Sequence, residues 1–370
     1  MVIKNAAILA FQSLIVNFPE SVLRDKAHYQ AGLLYSEKGD YKTAAFNFST
    51  IINDFPSGNL WDEARIQEAT ALYNNGEYVM ASGKYEDIIK NSRDDNTRSK
   101  AIYYLGWSYY EQGEKQKALS LFEQILDNDK DTRFTAGTKL WFGQYYYSSG
   151  DFKKAEQYFR EVIMDYGNSP FADDASYWLG WVMYEDGRFD DSLEQFESIV
   201  KNSPSSKWSP QAILALGDIY RNSGEYDLAV DQYKTLIQKY SGSGITNIAN
   251  NRIGTILKIQ SNFKLAIEYF KIALTQENSE TNAQIQFDLA ECYEKAGMEE
   301  AAVEEYLKVE YRYPGGKFWV LRSRLRCAEL LEKNGQNDRA LNIYHKLAEE
   351  KGKEADIAKE RIKLLKQYGR

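Results

Sequence analysis

A glycine recurs every 37 residues through the first 224 residues of the chain. It occupies positions 39, 76, 113, 150, 187 and 224, and in five of these six places an aromatic residue stands two positions later. Ser261 takes the next place, and Gly297 and Gly335 continue the series at intervals that differ from the period by a single residue. A period of this length is typical of stacked supersecondary units. We therefore expect a repeat fold and not one globular core.

Three further columns of residues keep the same register. A small residue stands seven positions before each corner, a second stands five positions after it, and an aromatic residue comes four positions later still. The first small column is Gly32, Ala69, Gly106, Gly143, Gly180, Gly217, Gly254, Ala290 and Ala328. The second is Ala44, Ala81, Ala118, Ala155, Ser192, Ala229, Ala266, Ala302 and Ala340. The aromatic column is Phe48, Tyr85, Phe122, Phe159, Phe196, Tyr233, Phe270, Tyr306 and Tyr344.

These columns predict a repeated pair of helices. Apolar residues recur at helical spacing on both sides of each corner, and a glycine is favoured where a helix ends in a left-handed residue. The small columns let the two helices approach closely, and the aromatic column is expected to fill the space between one hairpin and the next. Because one hairpin cannot bury its apolar face alone, the hairpins must stack on one another.

The columns resemble the tetratricopeptide repeat. The family's pattern of Leu-Gly, Tyr, Ala and Phe is matched by Leu105-Gly106, Tyr109, Ala118 and Phe122. The resemblance covers nearly the whole chain and implies an all-α fold, a right-handed α-solenoid of helical hairpins. The period departs from the pattern, since the usual repeat has about 34 residues.

The added residues lie between hairpins, in stretches such as "YGNSPFADDASYWLG". This longer form is similar to a group of bacterial envelope proteins that includes the outer-membrane assembly lipoprotein BamD and the periplasmic Tol-Pal accessory protein CpoB. That likeness favours a periplasmic role in the assembly of an envelope complex. Cytoplasmic tetratricopeptide proteins use similar linkers, so a cytosolic adaptor stays an alternative.

The register predicts one solenoid over residues 1–370. Residues 1–20 are a half-hairpin, residues 21–350 form nine hairpins, and residues 351–370 form a capping helix with alternating charge. "AAILAFQSLIVNFP" aligns with the second helix of the next hairpin at an offset of one full period. Gln12 and Ser13 interrupt its apolar run, which argues against a signal peptide. Since a solenoid is not expected to begin in mid-hairpin, we expect the chain to be a fragment of a longer protein.

Composition argues against several functions. The net charge of −8 is unsuited to a general nucleic-acid binder, and no apolar run approaches the roughly 18 residues of a membrane span. His28 and His345 are the only histidines, and Cys292 and Cys327 fit no metal or redox spacing. All four are expected to be ordinary helix or core residues. The sequence predicts no catalytic residue, no metal site and no cofactor.

One helix in the fifth hairpin, "ASYWLGWVMYEDGRF", concentrates aromatic residues. At 100° per residue, Leu179, Gly180 and Met183 fall on the face that packs within the hairpin, and Trp178 suits a neighbouring hairpin. The remaining rings, Tyr177, Trp181 and Tyr184, form a separate stripe. The resemblance implies that this stripe lies on the concave face, which the first helices line.

The same stripe is aromatic in hairpins two to five and charged afterwards. Exposed aromatic residues in one groove are typical of a binding site, although they can also pack across neighbouring helices. We expect a protein–protein scaffold that binds a peptide or helix of a partner protein. Other subunits of an envelope complex are among the possible partners. The expected contacts are Tyr73, Tyr103, Trp107, Tyr110, Tyr147, Tyr177, Trp181 and Tyr184. A glycan-binding scaffold of polysaccharide export is the alternative, with Glu111, Gln144 and Glu185 as polar partners.

Overall fold

A computed structural model describes residues 2–92, 94–127 and 132–368. Twenty helices and no strand are found in these residues, which confirms the all-α fold. The chain divides into two compact units, one up to Val182 and one from Met183. No helix in the described ranges combines the length and the apolar character that a membrane span needs. Whether both units form one solenoid stays a prediction.

Unit 1 contains nine helices and most of a tenth. They are α1 Val2–Asn17, α2 Arg24–Glu37, α3 Tyr41–Asp54, α4 Trp61–Asn74, α5 Tyr78–Asn91, α6 Asp95–Glu111, α7 Lys115–Asp127, α8 Thr132–Ser148, α9 Phe152–Asp165 and α10 Ala172–Glu185. The pairs α2–α3, α4–α5, α6–α7 and α8–α9 correspond to the predicted hairpins. The border between the units falls inside α10.

Unit 2 contains the remaining helices. They are α11 Phe189–Asn202, α12 Ser209–Asn222, α13 Tyr226–Lys239, α14 Ile245–Ile259, α15 Phe263–Ala273, α16 Glu280–Lys295, α17 Glu299–Arg312, α18 Lys317–Lys333, α19 Asn337–Ala348 and α20 Lys353–Tyr368. The four complete hairpins of this unit begin with α12, α14, α16 and α18.

The corner glycines adopt the predicted left-handed conformation. At the first corner, Gly39 has φ +80°, its N–H donates to the Ser36 carbonyl, and the Asp40 N–H donates to the Tyr35 carbonyl, each over 3.0 Å. These two bonds form a Schellman motif, which satisfies the last carbonyls of α2. The Asp40 carboxylate then accepts from the Thr43 N–H and caps α3.

Ser261 keeps the corner conformation without being a glycine. Its φ is +61°, and it is the one described non-glycine residue with a positive φ. Its N–H donates to the Lys258 carbonyl over 3.0 Å, and the Asn262 N–H donates to the Leu257 carbonyl over 2.8 Å. Since the hydrogen bonds match those of the glycine corners, the repeat geometry imposes a backbone that a serine adopts only at a cost.

The first small column lies against the aromatic column of the same hairpin. A Cβ on Gly143 in α8 would lie 2.4 Å from Cε1 of Phe159 in α9, and a Cβ on Gly217 would lie 2.4 Å from Cε1 of Tyr233. The ring therefore occupies the space that the glycine leaves. This close contact is the reason that the helices of a hairpin need a small residue at this position.

The aromatic column also contacts the next hairpin, as the sequence predicts. Phe122 of α7 lies 4.5 Å, centroid to centroid, from Trp141 of α8, and Tyr85 stacks on Tyr104 at 5.9 Å. Each of these rings thus joins two hairpins. The small column and the aromatic column together form the core of each unit.

The two terminal helices pack on their neighbours. Gln12 of α1 donates to the Tyr35 hydroxyl over 2.6 Å, and the predicted half-hairpin of residues 1–20 corresponds to α1. In α20, Ala358 and Ile362 join the core of unit 2, and Arg361 donates two hydrogen bonds to the Glu332 carboxylate. The predicted capping helix of residues 351–370 corresponds to α20.

Candidate functional site

An aromatic cavity of about 320 Å³ lies on unit 1. Three successive hairpins and the segment before α10 supply its walls. All six residues that line it are aromatic: Tyr73 of α4, Tyr103, Tyr104 and Trp107 of α6, Phe134 of α8, and Phe171. We call it the first cavity. Of these six residues, Phe134 and Phe171 occupy equivalent positions one repeat apart.

The rings of the first cavity hold one another at edge or tilted angles. Tyr103 lies 5.3 Å from Phe134 and 6.3 Å from Trp107, and both Tyr103 and Trp107 contact Phe122 of the aromatic column, at 6.2 and 5.8 Å. Such angles suit the quadrupoles of the rings. The cavity wall is therefore continuous with the core and is preorganised.

Gly137 of α8 has no side chain, which leaves space beside two residues that line the first cavity. A Cβ at this position would lie 2.8 Å from the Tyr103 hydroxyl oxygen and 3.1 Å from Cζ of Phe171. Any larger residue would push these two side chains apart. The absence of a side chain on residue 137 therefore sets how Tyr103 and Phe171 approach each other.

A second cavity of about 310 Å³ lies on the other side of Trp107. Its lining is Trp107, Tyr110, Lys115, Trp141, Gln144, Tyr145 and Ser148. The Tyr110 ring, 37% exposed, meets Trp141 edge-on at 5.7 Å, and Trp141 stacks on Tyr145 at 5.4 Å. This cavity combines rings with a cation and an amide, so it is more polar than the first.

The electrostatics of the first cavity are set by burial and by one carboxylate. Burial raises the pKa of Tyr73 to about 12, and the negative charge of Glu111 adds to the shift. Tyr73 is therefore a neutral hydrogen-bond donor and acceptor at physiological pH. Glu111 itself is exposed at the end of α6, which places an acidic group near an otherwise uncharged set of rings.

The structure brings four of the eight expected contacts together. Tyr73, Tyr103 and Trp107 line the first cavity, and Trp107 and Tyr110 line the second. Trp107 is shared, so these side chains form one surface with two depressions. We call the residues that line both cavities the aromatic surface of unit 1.

The other four expected contacts belong to neither lining set. Tyr147 meets Trp178 at 5.3 Å, which agrees with the neighbour contact expected for Trp178, and Tyr177 lies 6.4 Å from Trp181. Tyr184 is part of unit 2, where it meets Phe189 at 5.3 Å and accepts a hydrogen bond from Asn222 Nδ2 over 2.9 Å. A binding role for these four residues stays a prediction.

Sequence reasoning missed several residues of the aromatic surface. Tyr104 and Trp141 occupy the same repeat position as Trp178, which was assigned to packing between hairpins. Phe134 and Phe171 are one repeat apart, near the start of α8 and directly before α10. The recurrence of an aromatic residue in this last column was a usable signal. Gly137 gave no signal, because it belongs to none of the repeated small columns.

The charged positions of unit 2 form ion pairs with one another. Asp218 pairs with Arg221 and, in the next hairpin, with Arg252. Lys258 pairs with Asp288 and with Glu291. Glu294 accepts from Arg326 Nη2 over 2.6 Å. The change from aromatic to charged residues that the sequence predicts is therefore present, and these charges connect neighbouring hairpins.

Family comparisons agree with the repeat register. A family model described as outer membrane lipoprotein, YfiO, matches residues 22–182. Tetratricopeptide-repeat models match residues 174–206, 211–243 and 251–317. A search of curated proteins found no match.

A solved structure shows the same type of fold at low sequence identity. The C-terminal part of a TPR repeat-containing protein from Cytophaga hutchinsonii has 18% identity and a TM-score of 0.50, over 66% of this chain and 93% of that chain. A tetratricopeptide repeat protein from Parabacteroides merdae has 17% identity and a TM-score of 0.49, over 70% of this chain and 96% of that chain. The identity is too low to carry function. The chain contains tetratricopeptide repeats, and its residues 22–182 resemble the outer membrane lipoproteins of the YfiO family.

Proposed function

We propose that this protein is a non-enzymatic scaffold that holds a peptide or a helix of a partner protein on the aromatic surface of unit 1. The observation that carries the proposal is the pair of aromatic cavities on either side of Trp107. Aromatic side chains in preorganised depressions are the usual energetic centres of protein interfaces. The match to tetratricopeptide-repeat models supports a protein-interaction scaffold in general terms.

The size of the two cavities favours side chains over a whole small molecule. Each has a volume of about 310 to 320 Å³, which is at the lower limit of ordinary ligand pockets. Two small cavities that share one wall suit two side chains of a single segment. A ring buried against such a segment contributes roughly 1.5–3 kcal/mol.

The likeness of residues 22–182 to an outer membrane lipoprotein family supports the bacterial envelope as the location of the interaction. We propose that the partner is a subunit of a bacterial envelope complex, which the scaffold helps to assemble or position. This part of the proposal rests on the family likeness and on the length of the linkers between hairpins.

The test is site-specific photo-crosslinking in cells that produce the protein. A photo-reactive phenylalanine analogue replaces Tyr110, whose ring is exposed at the second cavity; the control replaces Val79, which is 72% exposed on α5 and absent from both lining sets. We expect a discrete protein adduct at position 110 only, which Trp107→Ala removes. Equal adducts at both positions, or an adduct that survives Trp107→Ala, would contradict the proposal.

A milder variant is needed because Trp107→Ala could lower binding through loss of folding. Trp107 contacts Phe122 of the core at 5.8 Å, so circular dichroism must show that Trp107→Ala keeps its helices. Tyr110→Ser removes an exposed ring and is expected to weaken an adduct at a photo-reactive residue placed at position 144.

Gln144 lines the second cavity beside two tryptophans, an arrangement that also suits sugars. Saturable binding of a polysaccharide on a glycan array, lost in Trp107→Ala, would replace the peptide proposal.

A further inference from the structure

Lys115 interrupts a pair of rings that recurs at other corners of the chain. At those corners, the aromatic residue two positions after the glycine contacts the tyrosine three positions before it. The ring centroids are 5.4 Å apart in Tyr73–Tyr78, 5.9 Å apart in Tyr147–Phe152 and 5.3 Å apart in Tyr184–Phe189. At the corner of Gly113 the tyrosine is Tyr110, and Lys115 takes the place of the second ring. A cation therefore stands where three other corners have an aromatic side chain.

The second cavity lies at this interrupted pair. Tyr110 and Lys115 both line it, and its volume is about 310 Å³. Tyr110 keeps an edge-on contact with Trp141 at 5.7 Å and is 37% exposed. A ring at position 115, placed as at the other corners, would contact Tyr110 and take up part of this space. The exchange of a ring for a lysine thus leaves the cavity open and adds a positive charge to its lining.

The charge of Lys115 is not neutralised within the part of the chain that the structure describes. Glu114, the residue before it, pairs with Lys117 over 3.5 Å, and Lys115 forms no ion pair with a described residue. Lys115 is also the first residue of α7, and the positive end of a helix dipole attracts anions. A negatively charged group in the second cavity would therefore be stabilised by the ammonium group and by the helix end together.

Hydrogen-bond donors predominate among the other polar groups of the second cavity. Trp141 is only 5% exposed, and neither its indole N–H nor the Gln144 amide donates to a described residue. The hydroxyl groups of Tyr110 and Tyr145 donate to no described residue either, whereas Ser148 donates to the Tyr145 carbonyl over 2.8 Å. An ammonium group and an indole N–H can only donate. A carboxylate, which only accepts, suits this lining, and its charge strengthens each hydrogen bond.

We propose that the second cavity binds the carboxylate of an acidic side chain in the partner segment, with Lys115 as its counter-ion. Gln144 and Trp141 supply neutral donors. This inference rests on the proposed function, since the acidic residue belongs to the segment that the aromatic surface holds. It specifies the chemistry of that segment: a glutamate or aspartate at the second cavity, beside an uncharged side chain at the first.

The test compares three amides that differ only in the side chain. N-acetyl-glutamate methylamide is titrated into the full chain beside its glutamine counterpart, which has nearly the same shape without the charge, and its lysine counterpart. The chain carries 5-fluorotryptophan, and the ¹⁹F resonance that disappears in Trp141→Phe reports the second cavity, because Trp141 does not line the first. We expect the glutamate amide to bind about two- to fivefold more tightly than the glutamine amide, the range of a partly exposed ion pair. The lysine amide should bind most weakly.

Two matched lysine variants test the counter-ion. Lys115→Met removes the charge and keeps an unbranched side chain, so the glutamate and glutamine amides are expected to bind equally. Lys153→Met removes an exposed lysine in the first turn of α9 that is absent from both lining sets, and the preference for glutamate should stay. Equal binding of the two amides to the parent chain, or a preference that survives Lys115→Met, would overturn the inference.

Restoring the missing ring provides an independent check. Lys115→Phe gives this corner the residue type that Phe152 and Phe189 supply at theirs, so we expect circular dichroism to show intact helices. The new ring should contact Tyr110 and fill part of the cavity, and the response to the glutamate amide should be lost. A folded Lys115→Phe chain that binds the glutamate amide as the parent does would overturn the inference.

A sugar acid separates a peptide from a glycan as the source of the carboxylate. Methyl glucuronide is titrated under the same conditions, and we expect it to bind more weakly than the glutamate amide because it lacks the peptide backbone. Tighter binding of the glucuronide, lost in Lys115→Met, would overturn the assignment to an acidic side chain.

The outcomes separate this inference from the proposed function. If photo-crosslinking at position 110 succeeds and the glutamate amide shows no preference, the inference fails and the scaffold proposal stands. If the glutamate amide is preferred but no protein adduct forms at position 110, the scaffold proposal fails, and with it the assignment of the carboxylate to a partner segment.

Discussion

The hydroxyl oxygen of Tyr103 lies above Gly137, at a point only 2.8 Å from where a Cβ on residue 137 would stand. This contact joins α6 to α8 across two hairpins and sets the width of the first cavity. Tyr103 also contacts Phe122 of the core at 6.2 Å. The aromatic surface of unit 1 and the core are therefore connected through one ring.

Gly137→Ala is expected to displace Tyr103 and Phe171 and to weaken partner binding more than it changes stability. The gain of about 1 kcal/mol from replacing a helical glycine opposes the strain of the new contact. Urea unfolding and photo-crosslinking at position 110 would measure the two effects. Gly83→Ala is the matched control, since nothing lies within 4 Å of its Cβ; we expect about 1 kcal/mol of added stability there and unchanged binding. Equal loss of binding in both variants would show that Gly137 has no special role.

The repeat register predicts the fold because its signals are local. A glycine at each corner and a small residue opposite each aromatic residue follow from backbone conformation and from the contact of two adjacent helices. Even Ser261 could be placed at a corner from its position alone. The aromatic surface was predicted only in part, because a long side chain such as Tyr104 or Phe171 reaches across helices. Its final contacts depend on the separation of α4, α6 and α8, which no spacing within one helix reveals.

Ser261→Gly is expected to stabilise the protein by about 1 kcal/mol. A left-handed conformation costs an L-residue roughly 1–2 kcal/mol, and glycine avoids most of this cost. The effect is visible as a higher urea midpoint. Gly224→Ser, at the preceding corner with φ +81°, should destabilise by a similar amount. If both substitutions shift the midpoint in the same direction, the backbone explanation is wrong.

His28 is expected to make stability depend on pH below about 6.5. Its ring is buried in α2, where Nδ1 lies 3.0 Å from Asn47 Oδ1 and Nε2 has no hydrogen-bond partner. Burial lowers the pKa of His28 from 6.5, despite the hydrogen bond with Asn47. The unfolded chain therefore binds the proton at a higher pH than the folded chain does.

The contribution of neutral His28 to the free energy of unfolding is therefore constant above the pKa that His28 has in the unfolded chain. It is lost as the pH falls from about 6.5 through the pKa that His28 has in the folded chain. Urea unfolding at a series of pH values would measure it. His28→Gln should lower stability at neutral pH and flatten the profile in this window, whereas His345→Gln, at an exposed residue, should leave the profile unchanged. An identical slope in His28→Gln would exclude His28 as its source.

The tyrosines in the aromatic column of unit 2 carry a polar group into the core. The Tyr306 hydroxyl donates to Glu294 Oε2 over 2.8 Å, and the same carboxylate accepts from Arg326. Tyr306→Phe is expected to cost about 1 kcal/mol, the usual net value of one hydrogen bond. The ring itself should fit, because Phe270 occupies the same column one repeat earlier. Glu294→Gln should cost more than Tyr306→Phe, because it also removes one of the two carboxylates that pair with the Arg326 guanidinium, the other being Glu329. In a double-mutant cycle, Tyr306→Phe made on the Glu294→Gln background should lose much of its effect, since the two groups share one bond. Full additivity of the two changes would mean that the hydroxyl and the carboxylate stabilise unit 2 separately.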